Sequence, residues 1–165
     1  MPYDDRVRLA SIYIQSGQTG RAVPLLEDAL YQDDGRPEAW AMLGEIDYSE
    51  GNLDKAAARL GKALEVGGEN PVVLNNLAWV EMGRDDAARA LALVDRALLL
   101  DPAPSYPYLD TRARILGKLE RYGEALADAG AARNLVPDHE LNTIRELDDL
   151  ITELEGLAAG GPLEY

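Results

Sequence analysis

The stretch AWAMLGEIDYSEGNLDKAAARLGKAL, residues 39–64, carries a glycine at a position where its neighbours predict a helix. Trp40, Leu43 and Ile46 recur at the spacing of one helix face, and Gly44 lies among them. A glycine inside a helix costs about 1 kcal/mol relative to alanine, and the EGN motif that ends this helix comes only later. Gly44 therefore needs an explanation other than a helix end.

A second helix follows the EGN motif. Ala56, Leu60 and Ala63 form another apolar face at helical spacing, and Asn52 stands where an N-cap side chain would accept a backbone hydrogen bond. The stretch therefore predicts two antiparallel helices joined by a short turn.

Small residues of both helices recur along the chain at a fixed period. Three columns align, and within each column the members are 34, 34 and 35 residues apart. The columns are Ala10, Gly44, Ala78 and Ala113; Ala22, Ala56, Ala90 and Ala125; and Ala29, Ala63, Ala97 and Ala132. Because three columns share one period, the sequence predicts four repeated helix pairs. The predicted units span about residues 3–36, 37–70, 71–105 and 106–137.

Turn motifs separate the predicted helices, and prolines separate the units. SGQTG, GRDD and LERYG interrupt the other three units, and the joints DDGRP, GGENP and DPAPSYP end in proline, which cannot continue a preceding helix. Helices packed at about 8–10 Å require small side chains where they cross most closely. Gly44 is explained as such a crossing point, which admits no side chain larger than a methyl group.

The chain continues after Pro137 with an amphipathic helix, predicted over residues 138–157 with Asp138 as its N-cap. One face is apolar and carries Leu141, Ile144, Leu147, Ile151 and Leu154. Because the last unit of a repeat array leaves an apolar face uncovered, we expect this helix to cap it. The alternative is an amphipathic helix that binds a partner or mediates dimerisation. Residues 158–165 are expected to form a flexible tail.

The charge of the chain argues against several classes of partner. Sixteen Lys and Arg stand against 30 Asp and Glu, a formal net charge of −14, which repels nucleic acid and anionic membrane surfaces. No apolar run reaches the roughly 18 residues that cross a membrane, so membrane insertion is not expected. The N-terminal MPYDDRVRLA does not resemble a signal peptide, so a soluble, cytoplasmic location is the default expectation.

No motif of the sequence predicts catalysis, a metal or a cofactor. The chain has no cysteine, and its single histidine, His139, lies in a charged segment at the predicted start of the last helix. The glycines of VGGEN lack the Lys-Ser/Thr of a phosphate-binding loop. Paired aspartates lie at turns and helix starts, where they complement helix dipoles, and none has calcium-loop spacing. We therefore predict a protein that is not an enzyme.

The 34-residue period with Trp, Leu and Gly in WAMLG, a following alanine column and a joint ending in proline resembles the tetratricopeptide repeat (TPR) family. The resemblance covers about residues 3–137. The motif NNLAW and the segment from EAL to LVP, residues 124–137, look like the sequences of bacterial members. The resemblance implies an all-α fold: a right-handed superhelical solenoid of antiparallel helix pairs with a capping helix, here one domain over residues 1–157.

Two columns depart from the family pattern. The leucine beside the small residue is kept as Leu9, Leu43 and Leu77 but becomes Arg112 in the fourth unit. The large residue late in the first helix is Tyr13 in the first unit, and its later counterparts are Asp47, Glu81 and Leu116. Packing at these positions is therefore expected to differ between units.

The resemblance also implies a function as a non-enzymatic scaffold or adaptor for protein–protein interaction. In this family the first helix of each unit lines a concave groove that takes an extended peptide or a partner helix. The predicted groove residues are Glu45, Tyr48, Asn75, Asn76, Trp79, Met82, Asp110, Arg114 and Lys118. Trp79 is the expected centre, unless its ring packs against a neighbouring helix. The acidic excess favours a partner segment that is basic and apolar.

Other binding modes follow less directly. A clamp for acidic chaperone tails is not expected, because Ala41, Met42 and Glu45 stand where that clamp needs cations. RNA binding is disfavoured by the net charge. The first unit has no cap before it, so the chain is alternatively a self-assembly module that forms homo-oligomers through this unit, or a fragment of a longer array.

Overall fold

The structure is a computed structural model that describes residues 1–101, 103 and 105–160. This part of the chain contains nine α-helices and no strand, which confirms the predicted all-α class. The chain divides into two compact units, Met1–Arg84 and Asp85–Tyr165. Pro102, Pro104 and residues 161–165 of the predicted tail lie outside the described residues.

The first unit contains five helices. They are α1 (Tyr3–Gln15), α2 (Thr19–Gln32), α3 (Pro37–Ser49), α4 (Leu53–Gly67) and α5 (Pro71–Gly83). The helix α1 packs against α2 and α3 packs against α4, as the helix pairs predicted from the sequence require. The helix α3 also contacts both α1 and α5, so the helices that open successive pairs lie side by side.

The small columns are buried between the paired helices. In the first unit Ala10, Ala22, Ala29 and Ala56 have no exposed surface. A Cβ placed on Gly44 would lie 2.7 Å from Leu60 Cγ and 3.3 Å from the Leu60 backbone nitrogen. The close crossing expected at Gly44 is therefore present, and α3 and α4 approach so closely there that even a methyl group would collide with Leu60.

Turns between paired helices use a left-handed residue at one recurring position. Gly17 and Gly51 hold it in the first unit, with φ of 73° and 79°. Asp85 and Glu120 hold it in the second unit, with φ of 64° and 59° although they carry side chains. Asn52 is the N-cap of α4 by position, but the predicted cap bond is wrong, because its Nδ2 donates to Glu50 Oε2 at 3.2 Å.

The second unit contains α6 (Ala87–Leu100), α7 (Tyr106–Lys118), α8 (Tyr122–Leu135) and α9 (Leu141–Ala158). The helix α7 packs against α8, and α9 packs against α8 and α7. Helix α9 begins three residues later than predicted: residues before it form a turn in which Glu140 N donates to Pro137 O, and Glu140 rather than Asp138 is the N-cap.

The apolar face of α9 is buried against α7 and α8. Leu147, Leu150 and Leu154 are 1%, 7% and 2% exposed. A Cβ on Gly117 of α7 would lie 2.9 Å from Leu154 Cδ2, so the two helices are in close contact there. Leu141 is the exception on this face, since it is 66% exposed. The role of α9 as a cap stays a prediction that this burial supports.

Ion pairs occupy positions where the family pattern has apolar residues. In the first unit Asp47, only 5% exposed, accepts a hydrogen bond of 2.7 Å from Arg59 Nη1 across the α3–α4 pair. In the second unit Arg112 binds Asp128 across the α7–α8 pair through Nε at 2.6 Å and Nη2 at 2.9 Å. Arg59 and Asp128 occupy the same column of the repeat, so the charges are reversed between the two pairs.

Candidate functional site

Two cavities lie along the neighbouring helices α3 and α5 of the first unit. One has a volume of about 320 Å³ and is lined by Glu45, Tyr48, Leu60, Asn76 and Trp79. Four of these five residues belong to the groove predicted from the sequence; the fifth, Leu60, lies on α4. The structure therefore brings together the centre of the predicted site within one compact unit.

The second cavity has a volume of about 370 Å³ and a largely apolar lining, which includes Ala41, Met42, Val72 and Val73. Glu45 lines both cavities. We call the two cavities together the α3–α5 groove. The sequence analysis missed Val72, which is 51% exposed. The available signal was the change from the charged Glu38 to an apolar valine at the same position of the next unit.

Glu45 and Asn76 form the polar contact of the groove. Asn76 Nδ2 donates a hydrogen bond of 2.8 Å from α5 to Glu45 Oε1 on α3. The side chain of Glu45 is exposed to solvent on one side, yet enough protein surrounds its carboxylate for desolvation to raise its pKa above the ordinary value, and the bond from Asn76 partly offsets this shift. The carboxylate is thus held in place without a compensating charge.

The aromatic residues of the groove are open to solvent. Tyr48 is 39% exposed, and Trp79 is half-buried and lines the cavity with it. Part of the Trp79 ring packs between helices, and the rest is exposed in the cavity. Met82 is half-buried and does not belong to the lining of either cavity.

Asn75 differs from its neighbour Asn76. It is 8% exposed, and its Oδ1 is buried without a hydrogen-bond partner among the described residues. Asn75 precedes Trp79 by one helical turn, so the two residues share a face of α5. A buried acceptor without a donor costs about 1–3 kcal/mol. Asn75 lines neither cavity, so this cost belongs to the fold and not to the surface of the groove.

The remaining predicted residues belong to the second unit. Arg114 Nε donates to Asp110 Oδ1 at 2.9 Å along α7, and Lys118 Nζ lies 3.4 Å from Asp85 Oδ1. Desolvation raises the pKa of Asp110, and the charge and hydrogen bond of Arg114 oppose that shift. The structure thus pairs Asp110 with Arg114. One continuous groove that joins them to Trp79 stays a prediction.

A third cavity, in the second unit, is lined by side chains that form ion pairs with one another. It measures about 290 Å³ and is lined by Arg112, Asp95 and Asp128 together with the pair of Arg121 and Glu124. Each of these charges already has a partner of opposite sign. Within the described part of the chain, no cluster of three or more His, Cys, Asp or Glu side chains is arranged to hold a metal ion.

None of the helices over the described ranges combines the length and the apolar composition that crossing a membrane requires.

Comparison with known sequences finds the same repeat. One profile described as tetratricopeptide repeat matches residues 47–115, and another with that description matches residues 6–35. The chain is 33% identical over 101 residues to the inactive TPR repeat-containing thioredoxin TTL3 of Arabidopsis thaliana. That match covers 58% of this chain and only 14% of the relative, so the chain spans a small part of that protein's length.

Several solved structures share the fold at low sequence identity. PilW, a widely conserved type IV pilus biogenesis factor, superimposes with a TM-score of 0.76 at 21% identity, over 93% of this chain and 77% of its own. The Cut9–Hcn1 hetero-tetramer of APC/C gives 0.82 at 14% identity, over 93% and 30%. YrrB, a TPR protein with an unusual peptide-binding site, gives 0.69 at 18% identity, over 91% and 84%. These likenesses establish an all-α helical-repeat solenoid.

Proposed function

The chain belongs to the tetratricopeptide repeat family, and from this premise we propose that it is a protein–protein interaction scaffold that binds a segment of its partner in the α3–α5 groove. Proteins of this family are generally non-enzymatic scaffolds, and we extend that to this chain. The partner is another protein and neither nucleic acid nor a membrane, in keeping with the formal charge of −14.

One observation carries the proposal: Tyr48 and Trp79 remain accessible on a concave surface next to a fixed hydrogen bond between Glu45 and Asn76. Binding energy at protein interfaces is concentrated in aromatic anchors that sit in pockets, while fixed polar groups orient the ligand. An extended peptide or a helix can bring an apolar side chain to the rings and a polar group to Glu45. The relative YrrB, described as having a peptide-binding site, has the same fold.

The test compares partner capture by the wild-type chain and two matched variants. Partners retained by the immobilised protein are identified by mass spectrometry, and their affinities are then measured with purified components. Trp79→Ala is expected to weaken binding by about 2 kcal/mol or more, roughly thirtyfold. Leu99→Ala is the control, because Leu99 is 85% exposed on α6 and lines neither cavity of the groove.

Circular dichroism and thermal unfolding establish that Trp79→Ala is folded before its affinity is interpreted. A folded Trp79→Ala variant that binds the partner as tightly as wild type would exclude the groove as the binding site.

Self-association is the second candidate function. Ile12 and Tyr31 of the first helix pair are 56% and 94% exposed, so this pair offers apolar contacts to another copy or to a preceding repeat. A molecular mass that stays monomeric over a wide concentration range, measured by sedimentation, would exclude self-association.

A further inference from the structure

The α3–α5 groove has an acidic lining. Its charged side chains are Glu38 and Glu45, and no Lys, Arg or His lines either cavity among the described residues. Glu38 has a cation nearby, since Arg36 Nε lies 3.6 Å from its carboxylate. Glu45 has none within 4.0 Å in the described part of the chain, and its only side-chain bond comes from the neutral amide of Asn76.

Hydrogen-bond acceptors exceed donors on this surface. The amide of Asn76 donates one hydrogen bond to Glu45 Oε1, which leaves the other carboxylate oxygen of Glu45 to accept from a ligand. A lysine ammonium carries three N–H donors and an arginine guanidinium five, and neither has an acceptor. A ligand cation therefore supplies the two things that the groove lacks, positive charge and donors.

The positions of the two cavities set the spacing of the ligand. Ala41 lines one cavity and Tyr48 the other, and Glu45 lies between them on α3. At 1.5 Å per residue, Ala41 and Tyr48 are separated by roughly 10 Å along the helix axis. A segment in the extended polyproline II conformation advances about 3.1 Å per residue with three residues per turn, so side chains three residues apart share one face and match the spacing of the two cavities.

We propose that the α3–α5 groove recognises an extended segment with two apolar side chains three positions apart and a lysine or arginine between them, whose cation binds Glu45. This specificity rests on the proposed function of the groove. An acidic tail is the opposite ligand, because it would place a carboxylate against Glu45 where no cation of the lining compensates. Desolvation already raises the pKa of Glu45, and a bound cation relieves that penalty.

The first measurement uses three synthetic peptides that differ at one position: Gly-Ser-Leu-Lys-Ser-Leu-Gly-Ser and its Gln and Glu analogues, each labelled with a fluorophore and capped at both ends. Binding to the full chain is followed by fluorescence polarisation at low and high salt. The Lys peptide is expected to bind about tenfold more tightly than the Gln peptide, and the Glu peptide to bind weakest. Salt should weaken only the Lys peptide.

The second measurement uses Glu45→Gln, which removes the charge and keeps an acceptor for Asn76. The preference for Lys over Gln is expected to fall from about tenfold to near one. Glu27→Gln makes the same change of net charge on an exposed position of α2 outside the groove, and should leave the preference intact.

The outcomes separate the inference from the proposed function. Equal affinity for the three peptides, combined with loss of binding in Trp79→Ala, would show that the groove binds peptides without charge selection and would overturn the inference alone. Peptide binding that neither Trp79→Ala nor Glu45→Gln alters would place the peptide elsewhere and overturn both. If the Lys peptide fails to bind, the inference is wrong, and the capture experiment with Trp79→Ala decides the proposed function by itself.

Discussion

Tyr106 donates a hydrogen bond of 2.8 Å to Glu140, 34 positions later, as Tyr3 donates one of 3.3 Å to Glu38. In each unit a tyrosine at the first position of a helix binds a glutamate at the start of the second helix after it. Tyr106 of α7 contacts the start of α9, and Tyr3 of α1 contacts the start of α3. The helix α9 thus begins against α7 as α3 begins against α1. This contact supports the predicted role of α9 as a cap on the pair of α7 and α8.

Loss of this bond should be measurable in the second unit. Tyr106→Phe removes the phenolic donor and is expected to lower the free energy of unfolding by about 1 kcal/mol, the usual net value of such a bond. Urea denaturation measures the change. Tyr31→Phe is the matched control, because the ring of Tyr31 is 94% exposed and its hydroxyl should contribute nothing. Equal losses in the two variants would contradict a structural role for Tyr106 and Glu140.

The ion pair of Arg112 and Asp128 should behave as a replaceable unit. Arg112→Leu leaves the 8%-exposed Asp128 without its cation and is expected to cost about 3 kcal/mol. The double variant Arg112→Leu/Asp128→Leu should recover most of that loss, because apolar side chains can replace such an ion pair and leucine stands in both columns in the first unit, as Leu9 and Leu25. Chemical denaturation of the two single variants and the double variant measures the coupling. Additive losses would show that the two side chains do not interact as the structure has them.

Two glycines inside helices should respond to alanine with opposite signs. Gly44→Ala adds a methyl group 2.7 Å from Leu60 Cγ, and overpacking of about 1–3 kcal/mol exceeds the roughly 1 kcal/mol that alanine gains in helix propensity. Gly61→Ala of α4 has no atom within 4 Å of its new methyl, so only the gain remains. In thermal unfolding, the melting temperature of Gly44→Ala should be lower than that of the wild type, and that of Gly61→Ala should be higher. A stabilised Gly44→Ala would show that α3 and α4 are not in close contact at this crossing.

The burial of α9 gives a further pair of variants. Leu147 is 1% exposed and Leu141 is 66% exposed, although both were predicted on one apolar face. Leu147→Ala is expected to cost about 2–5 kcal/mol, whereas Leu141→Ala should cost little. Thermal unfolding of each variant measures the difference. If Leu147→Ala is as stable as wild type, the face of α9 is reserved for a partner and does not belong to the fold of the unit.

Glu45 should make stability depend on pH in a defined direction. Desolvation raises its pKa in the folded state, so the folded chain binds this proton more tightly than the unfolded chain does. The resulting stability is present below the unfolded pKa and is lost as pH rises through the folded pKa. Glu45→Gln removes this loss, and its stability relative to wild type should therefore be greater at pH 7 than at pH 4. Urea denaturation at both values tests this, and a reversed order would contradict the desolvated carboxylate.

The sequence predicted the helix pairs because they depend on periodicity. A small residue every 34 or 35 positions requires a close crossing of two helices at each repeat, and burial of Ala10, Ala56 and Ala125 agrees with it. The caps were predicted less well, because a cap bond depends on competition between side chains. Asn52 binds Glu50 instead of the backbone, and the turn after Pro137 delays the start of α9.

The candidate site was predicted only in outline, because helical spacing gives the face of a residue and not its partner. The groove face that carries Trp79 and Tyr48 was implied by the resemblance to the repeat family. The bond between Asn76 and Glu45, the unpartnered oxygen of Asn75 and the pairing of Asp110 with Arg114 depend on side-chain conformations that no column of the repeat specifies. Val72 was missed because the residues at the same position in the two preceding units are charged. They are Asp4 and Glu38.

We expect the reversed ion pairs of α3–α4 and α7–α8 to disfavour incorrect pairing between similar helices of the chain. Helices with similar small-residue columns can exchange partners while the chain folds, and such misassembly is a characteristic failure of repeat proteins. If α3 paired with α8, Asp47 would face Asp128; if α7 paired with α4, Arg112 would face Arg59. Each wrong pairing replaces a salt bridge by two like charges: two carboxylates whose side chains are 7% and 12% exposed, or two guanidinium groups whose side chains are 26% and 30% exposed. Like charges at such positions repel each other more strongly than they would in water. The charges of these ion pairs thereby distinguish the correct partner of α3 from α8, and the correct partner of α7 from α4.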